Sequence, residues 1–190
     1  MLIGVVLGAL AIAAAAQVIV SYTKASNGRI WASESDRNFS RLSFLMNTEI
    51  GEGCAVRSGS APADCTPSTT TCPGTAGTDI RVRVPVLNAA NAFSYQTIRY
   101  YRDVATNEIK RDGPAILPNG RLDTATNVDG AVLVGNVSAF TPTVAADCRS
   151  VALTITFTIP DGRIAGNTAS CPAAICTRTT RFRTQGIPFT

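Results

Sequence analysis

The sequence holds no histidine. That absence excludes every mechanism needing an imidazole as base or metal ligand, among them Ser-His-Asp triads, HExxH zinc sites and Cys₂His₂ fingers. Charge is also scarce: 16% of the 190 residues are Asp, Glu, Lys or Arg, below the usual quarter. None of it falls between Met1 and Tyr22; every charged side chain lies from Lys24 to Arg183. Proline is missing before Pro62, and no cysteine pair has CxxC spacing. No P-loop, dinucleotide motif or pair of carboxylates framing a cleft stands out, so the chain is not expected to be an enzyme or to take a small-molecule substrate. Its length suits one domain, or one domain with an appendage.

What is present begins with MLIGVVLGALAIAAAAQVIV, residues 1–20, in which only Gln17 is polar. Twenty helical residues span about 30 Å, the thickness of a bilayer's hydrocarbon core. A secretory signal peptide and a plain single-span anchor are two readings of such a stretch; a signal peptide needs a basic n-region, and none precedes the apolar run. The third reading comes from residues 21–53, where the helical pattern continues. Ile30, Trp31, Phe39, Leu42, Leu45, Met46 and Ile50 recur at mostly three- and four-residue spacing. Glu34, Asp36, Arg37, Asn38, Arg41, Asn47 and Glu49 are expected on the other face. Gly51-Glu52-Gly53 marks an end. The expectation is one helix over residues 1–53, with 1–22 as a transmembrane or assembly half and 23–53 as an amphipathic half. Gly4 and Gly8, with Ala9, Ala13 and Ala16, supply a small-residue surface suited to helix packing in lipid.

The remainder, 54–190, reads as a β-rich globular domain. Ile80, Val82, Val84 and Val86 alternate with Arg81, Arg83 and Pro85. Val151, Leu153, Ile155, Phe157 and Ile159 alternate with Ala152 and threonines, and Phe182 sits between Arg181 and Arg183. Phe93, Tyr95, Thr97 and Arg99 share one face, with Ile98 and Tyr100 on the other. These are half-buried antiparallel strands, with turns expected at Asn107 and Asp112-Gly113. The expected class is α+β: a long helix packed through Trp31, Phe39, Leu42 and Leu45 on an antiparallel sheet.

The six cysteines are Cys54, Cys65, Cys72, Cys148, Cys171 and Cys176. Without histidine or CxxC spacing, disulfides in an oxidising compartment are the better reading than zinc. Six cysteines allow fifteen connectivities. Local pairing is expected: two of Cys54, Cys65 and Cys72 joined, and Cys148 joined to Cys171 or Cys176. Lys24 and Arg29 follow the apolar run, which by the positive-inside rule alone would leave the domain in the cytoplasm. The cysteines favour the opposite, oxidising side.

Four segments carry a family resemblance. WASESDRNFSRLSFLMNTEIGEGC (31–54), TIRYYRDVATNEIKR (97–111), AVLVGNVSAF (131–140) and VALTITFTI (151–159), in that order behind an apolar half-helix, resemble type IV pilins and pseudopilins. Within them the chain is most similar to PilW-like minor pilins and the J-type minor pseudopilins of type II secretion. The resemblance implies a pilin-like fold and a structural role, assembling into, priming or capping a type IV pilus or a pseudopilus. Its implied partners are other pilins through the N-terminal helix, the inner membrane and an assembly platform. The implied location is a single-pass inner-membrane protein with a periplasmic domain, passing into a cell-surface pilus or periplasmic pseudopilus. Family members begin, after leader cleavage, with a methylated Phe followed shortly by Glu. Neither stands here, and MLIGVVLGAL matches what comes just after that Glu. The expectation is that a basic leader, Gly, Phe and Glu are encoded upstream of Met1.

Two surfaces are candidate ligand sites. Asp123, Asn127, Asp129 and Gly130 read as an acidic loop, either a solvated turn or a calcium loop; Ala125 and the lack of a closing Glu depart from an EF-type pattern. No other cofactor is expected. Fifteen of the seventeen basic residues are arginine, with Arg81/Arg83, Arg99/Arg102 and Arg178/Arg181/Arg183 on or near strands. The last trio is a candidate patch for DNA or anionic polysaccharide on a tip adhesin or DNA-binding pilin; edge-protecting surface charge is the plainer reading. Asn38-Phe-Ser and Asn136-Val-Ser match glycosylation acceptors. An unrelated single-span periplasmic protein is the remaining alternative.

Overall fold

The computed structural model describes residues 2–59, 77–87, 93–158 and 176–185, leaving aside the side chains of residues 2–11, 24, 28, 87, 93 and 124. One helix, α1 (Leu2–Glu52), runs unbroken for 51 residues, about 76 Å at 1.5 Å per residue. No proline removes a backbone donor along it. Helices owe most of their stability to burying one face, and among the described side chains of α1 only those of the second half do so. Trp31, Ser35, Leu42, Met46, Glu49 and Ile50 are buried. Steps of four, seven and four lead from Trp31 to Met46, and Glu49 and Ile50 follow Met46 by three and four, so all six lie in one stripe. Phe39 packs against that stripe from its flank, while Leu45 is half-buried and Phe44 points outward.

Eight strands follow: β1 (Ala55–Arg57), β2 (Asp79–Leu87), β3 (Phe93–Asp103), β4 (Glu108–Ile116), β5 (Leu122–Val134), β6 (Val137–Val144), β7 (Ser150–Phe157) and β8 (Thr177–Arg183). β1 to β5 form a five-stranded sheet in chain order, and β6 to β8 a three-stranded one. Every pairing is antiparallel. The chain is therefore α+β, one long helix with an antiparallel β domain. One core joins the three layers: Trp31, Leu42, Met46 and Ile50 from α1, Ile80, Val82, Ile98 and Ile109 from the larger sheet, and Val151, Leu153, Ile155 and Phe182 from the smaller. The strict alternation of β7, buried at every second residue, is the period-two pattern of its sequence made visible.

β8 runs beside the second half of α1. Arg178 at its start meets Asp36 at 2.6 Å, and just past its end the Gln185 N–H donates to the Gly51 carbonyl at 2.9 Å. The stretch from Asp36 to Gly51 in helix and from Arg178 to Gln185 in strand each cover about 23 Å, so helix and strand stay in step. The Gln185 bond also supplies one of the partners that the last carbonyls of a helix lack.

Four expectations are corrected. Asp112-Gly113 is not a turn but lies inside β4, where a register irregularity separates Arg111 from Gly113. Asp123 to Gly130 is not a loop but part of the 13-residue strand β5. Its polar composition suits an edge strand, whose outer side faces solvent. Glu49, expected among polar residues on the outer face, is in the core at 4% exposure. It lies three residues from Met46 and seven from Leu42, inside the buried stripe. Residues 54–78 and 160–177 are expected as bridge-pinned loops; Ala55–Arg57 is instead strand β1 and Thr177 opens β8, while residues 60–76 and 160–175 lie outside the described residues, as does Ile159.

Gly113 has φ +147, and a Cβ there would stand 3.2 Å from the Ile98 Cα and 3.3 Å from its Cγ1. Both the backbone conformation and the close approach of β3 require glycine. Gly113→Ala is expected to lower unfolding free energy by about 2 kcal/mol, read by urea denaturation with a wild-type m-value.

Candidate functional site

The site starts from the charge inside the core. β3 and β4 are paired so that Tyr100 stands directly opposite Arg111. By strand alternation both lie on the face that carries Ile98 and Ile109, toward α1. Glu49 descends from α1 between them. Arg111 donates from Nη2 to Glu49 Oε1 at 2.7 Å and from Nε to both carboxylate oxygens at 3.1 Å. Its Nη1 donates to the Pro114 carbonyl at 2.9 Å, and Tyr100 Oη donates to Glu49 Oε2. Arg111 is 3% exposed and Tyr100 fully buried. Burial pushes the Tyr100 hydroxyl well above its ordinary pKa, and the Glu49 carboxylate adds to that. Burial works against the Arg111 charge, but hydrogen bonding and attraction to Glu49 outweigh it and raise its pKa. A fork-on-fork pair of this kind is directional as well as strong.

The cluster can hold a helix in one rotation; nothing about it is open to a substrate. Further toward the N-terminus of α1, a cavity between the helix and the β5–β6 connection is lined by Trp31, Glu34, Ser35, Asn38, Asn136 and Phe157 and measures about 40 Å³. That admits a few waters and is far below a ligand pocket. Asn38 and Asn136, the two glycosylation-acceptor positions, both line it.

Above Trp31 the character of α1 changes. Ile12, Val18 and Ile19 are 73%, 67% and 66% exposed, and Val20, Tyr22 and Ile30 are also open. Ala13 and Ala16 are exposed on the same stretch; Gly4, Gly8 and Ala9 lie outside the described side chains. Among the described residues no helix is long and apolar enough to cross a membrane; the side chains of residues 2–11, the apolar start of α1, are not among those described.

The arginine trio is not brought together. Arg178 faces α1 and is tied to Asp36 through Nε at 2.9 Å and Nη2 at 2.6 Å. Arg181 and Arg183 flank the buried Phe182 and point to the opposite, exposed side. Arg102 is held by the Val137 carbonyl at 2.6 Å and by Asn107, so it ties the β3–β4 turn to β6. Cys54, Cys148 and Cys176 are each disulfide-bonded, and no described cysteine is free; Cys65, Cys72 and Cys171 lie outside the described residues. Asp123 accepts from its own Ala125 N–H at 2.9 Å. Asp123, Asn127 and Asp129 are strung along β5, and among the described residues no group of three or more acidic or cysteine side chains converges for a metal.

Glu49 as a functional residue was missed by the sequence reading. Two signals mark it: a carboxylate at a core position of the apolar stripe, and an arginine two residues from Ile109 on the inward face of a strand. No protein-family model matches the chain, and no curated protein matches it. Function therefore rests on the fold and its surfaces.

Removing one member of a buried ion pair leaves the other unpaired in the core, at a cost of about 3–5 kcal/mol. Glu49→Leu and Arg111→Leu are each expected to lose that much in urea denaturation. The double variant is expected to lose at least about 2 kcal/mol less than the sum, because no charge is then stranded.

Proposed function

We propose that the chain is a structural filament subunit of the type IV pilin and pseudopilin superfamily, of the PilW-like or J-type minor kind. The observation that carries this reading is the division of α1: a single 51-residue helix whose second half is buried by the sheets, while the described apolar side chains before it, from Ile12 to Ile30, are open. Exposed apolar surface of this extent needs a cover. In this reading the inner membrane covers it first, with the β domain in the periplasm, and the helices of neighbouring subunits cover it after assembly. The same surface can serve both because lipid tails and packed small and aliphatic side chains are equally apolar.

Two further features support it. The disulfide-bonded cysteines suit an oxidising compartment. The order of elements, half-helix, amphipathic half-helix and antiparallel domain, matches the four segments that carry the resemblance. The role is mechanical: the chain primes or caps a filament, and the work of assembly comes from other proteins. No catalytic residue, cofactor or small-molecule substrate belongs to it.

The test is a deletion of residues 2–27. Burial of the described side chains begins in earnest at Trp31, so the deletion spares the core. The full chain is expected in the membrane fraction, resistant to carbonate. The shortened chain is expected to be soluble, to melt within a few degrees of the full one, and never to enter a filament. A soluble full chain contradicts the reading. A membrane-bound chain that never associates with other filament subunits leaves only a single-span periplasmic protein.

A further inference from the structure

The outer face of the five-stranded sheet has no role in the helix or the core. Arg57 and Arg81 are direct cross-strand partners, as are Arg81 and Arg99. Strands lie about 4.8 Å apart, so three guanidinium-bearing positions form one row across β1, β2 and β3. Arg83 adds a fourth, two residues along β2. Like charges placed directly opposite each other disfavour sheet formation, and the fold neutralises them only on one side. Buried Asp79 accepts from Arg81 Nε at 3.1 Å and from Arg99 Nε at 3.0 Å, as well as from the Gly59 N–H. Arg99 also stands 3.6 Å from Asp112. Lys110 is engaged by Asp103 and Glu108. Arg57 and Arg83 make no ion pair among the described residues.

With Lys110, Asp103 and Glu108 counted, five cations on this face meet four carboxylates, and the positive charge without an ion-pair partner lies toward Arg57 and Arg83. Aromatic rings are interleaved with it. Arg83 lies over the Tyr95 ring, 5.6 Å from its centroid, and Arg99 over Tyr101 at 4.3 Å. Tyr95 is 39% exposed.

We propose that this face binds single-stranded nucleic acid. Arg57, Arg81 and Arg83 would take backbone phosphates, and the Arg–Tyr stacks give flat, cationic platforms for unpaired bases. A sheet face carries no helix or ribbon to enter a duplex groove, and a sulfated polysaccharide would use the charge without needing the stacks. The assignment stands on the sheet and is independent of the filament reading.

The test is fluorescence anisotropy of a labelled 20-nucleotide oligothymidylate with the full chain in detergent, across a salt series. Wild type is expected to bind with a Kd on the order of micromolar near physiological salt. Arg57→Gln with Arg83→Gln, which breaks no ion pair but gives up the Arg83 Nη1 bond to Thr97 Oγ1 at 3.1 Å and the Tyr95 stack, is expected to weaken binding at least about tenfold and to reduce the salt slope by about 1.4, with the melting temperature lowered by no more than about 4 °C. No wild-type binding, or binding unchanged in that double variant, overturns the proposal. So does an equal loss from Arg181→Gln with Arg183→Gln, which would move the site to the smaller sheet. Equal affinity for a heparin oligosaccharide of matched charge would overturn it in favour of a polysaccharide.

Discussion

The structure turns on one carboxylate. Glu49 sits in the apolar stripe of α1, where an unpaired charge would be intolerable, and it is acceptable only because Arg111 and Tyr100 meet it from adjacent strands. The pair adds little net stability over an apolar contact of the same size, but a wrong alignment strands two charges. A smooth apolar stripe could slide or roll on a sheet at small cost. One with a charge near its C-terminal end cannot: a rotation of one residue takes Glu49 about 100° away from Arg111. The cluster thereby fixes both the roll and the axial position of the helix on the β domain.

That constraint has consequences far from the core. Because α1 is continuous from Leu2 to Glu52, locking its second half also aims its first half. The direction in which Ile12, Val18 and Ile19 face is set relative to the sheets, which a subunit needs if its helix is to fit one place in a bundle. The tie from Arg178 to Asp36 and the bond from Gln185 to Gly51 brace the same half from the β8 side. The Arg178 pair is largely solvent-facing and contributes little alone; its value is in keeping β8 in step with the helix.

Much of this was legible in the residues. The missing prolines and the three- and four-residue spacing announce one long helix, and the alternations in 80–86, 98–100 and 151–157 fix strand faces that the structure reproduces. Other parts were hidden for physical reasons. Glu49 reads as surface because carboxylates are seldom buried, and its partner lies 62 residues away in sequence, which no local pattern can reveal. Asp112-Gly113 reads as a turn because such dipeptides usually are. Here the glycine is demanded by the close pass of Ile98 in the neighbouring strand. The acidic run 123–130 reads as loop because an edge strand with one wet side needs no apolar alternation. The three arginines near the C-terminus share a strand but not a face, and alternation separates Arg178 from Arg181 and Arg183.

We propose that α1 serves two surroundings, one half held by its own domain and the other by lipid or further subunits. Photo-crosslinking residue by residue along α1, in the full chain within cell membranes, tests it most directly. Adducts with lipid or other polypeptides are expected at Ile12, Val18 and Ile19, and only within-chain adducts at Leu42, Met46 and Ile50. Intermolecular adducts at Met46, or none at all from Ile12 to Ile19, would contradict it.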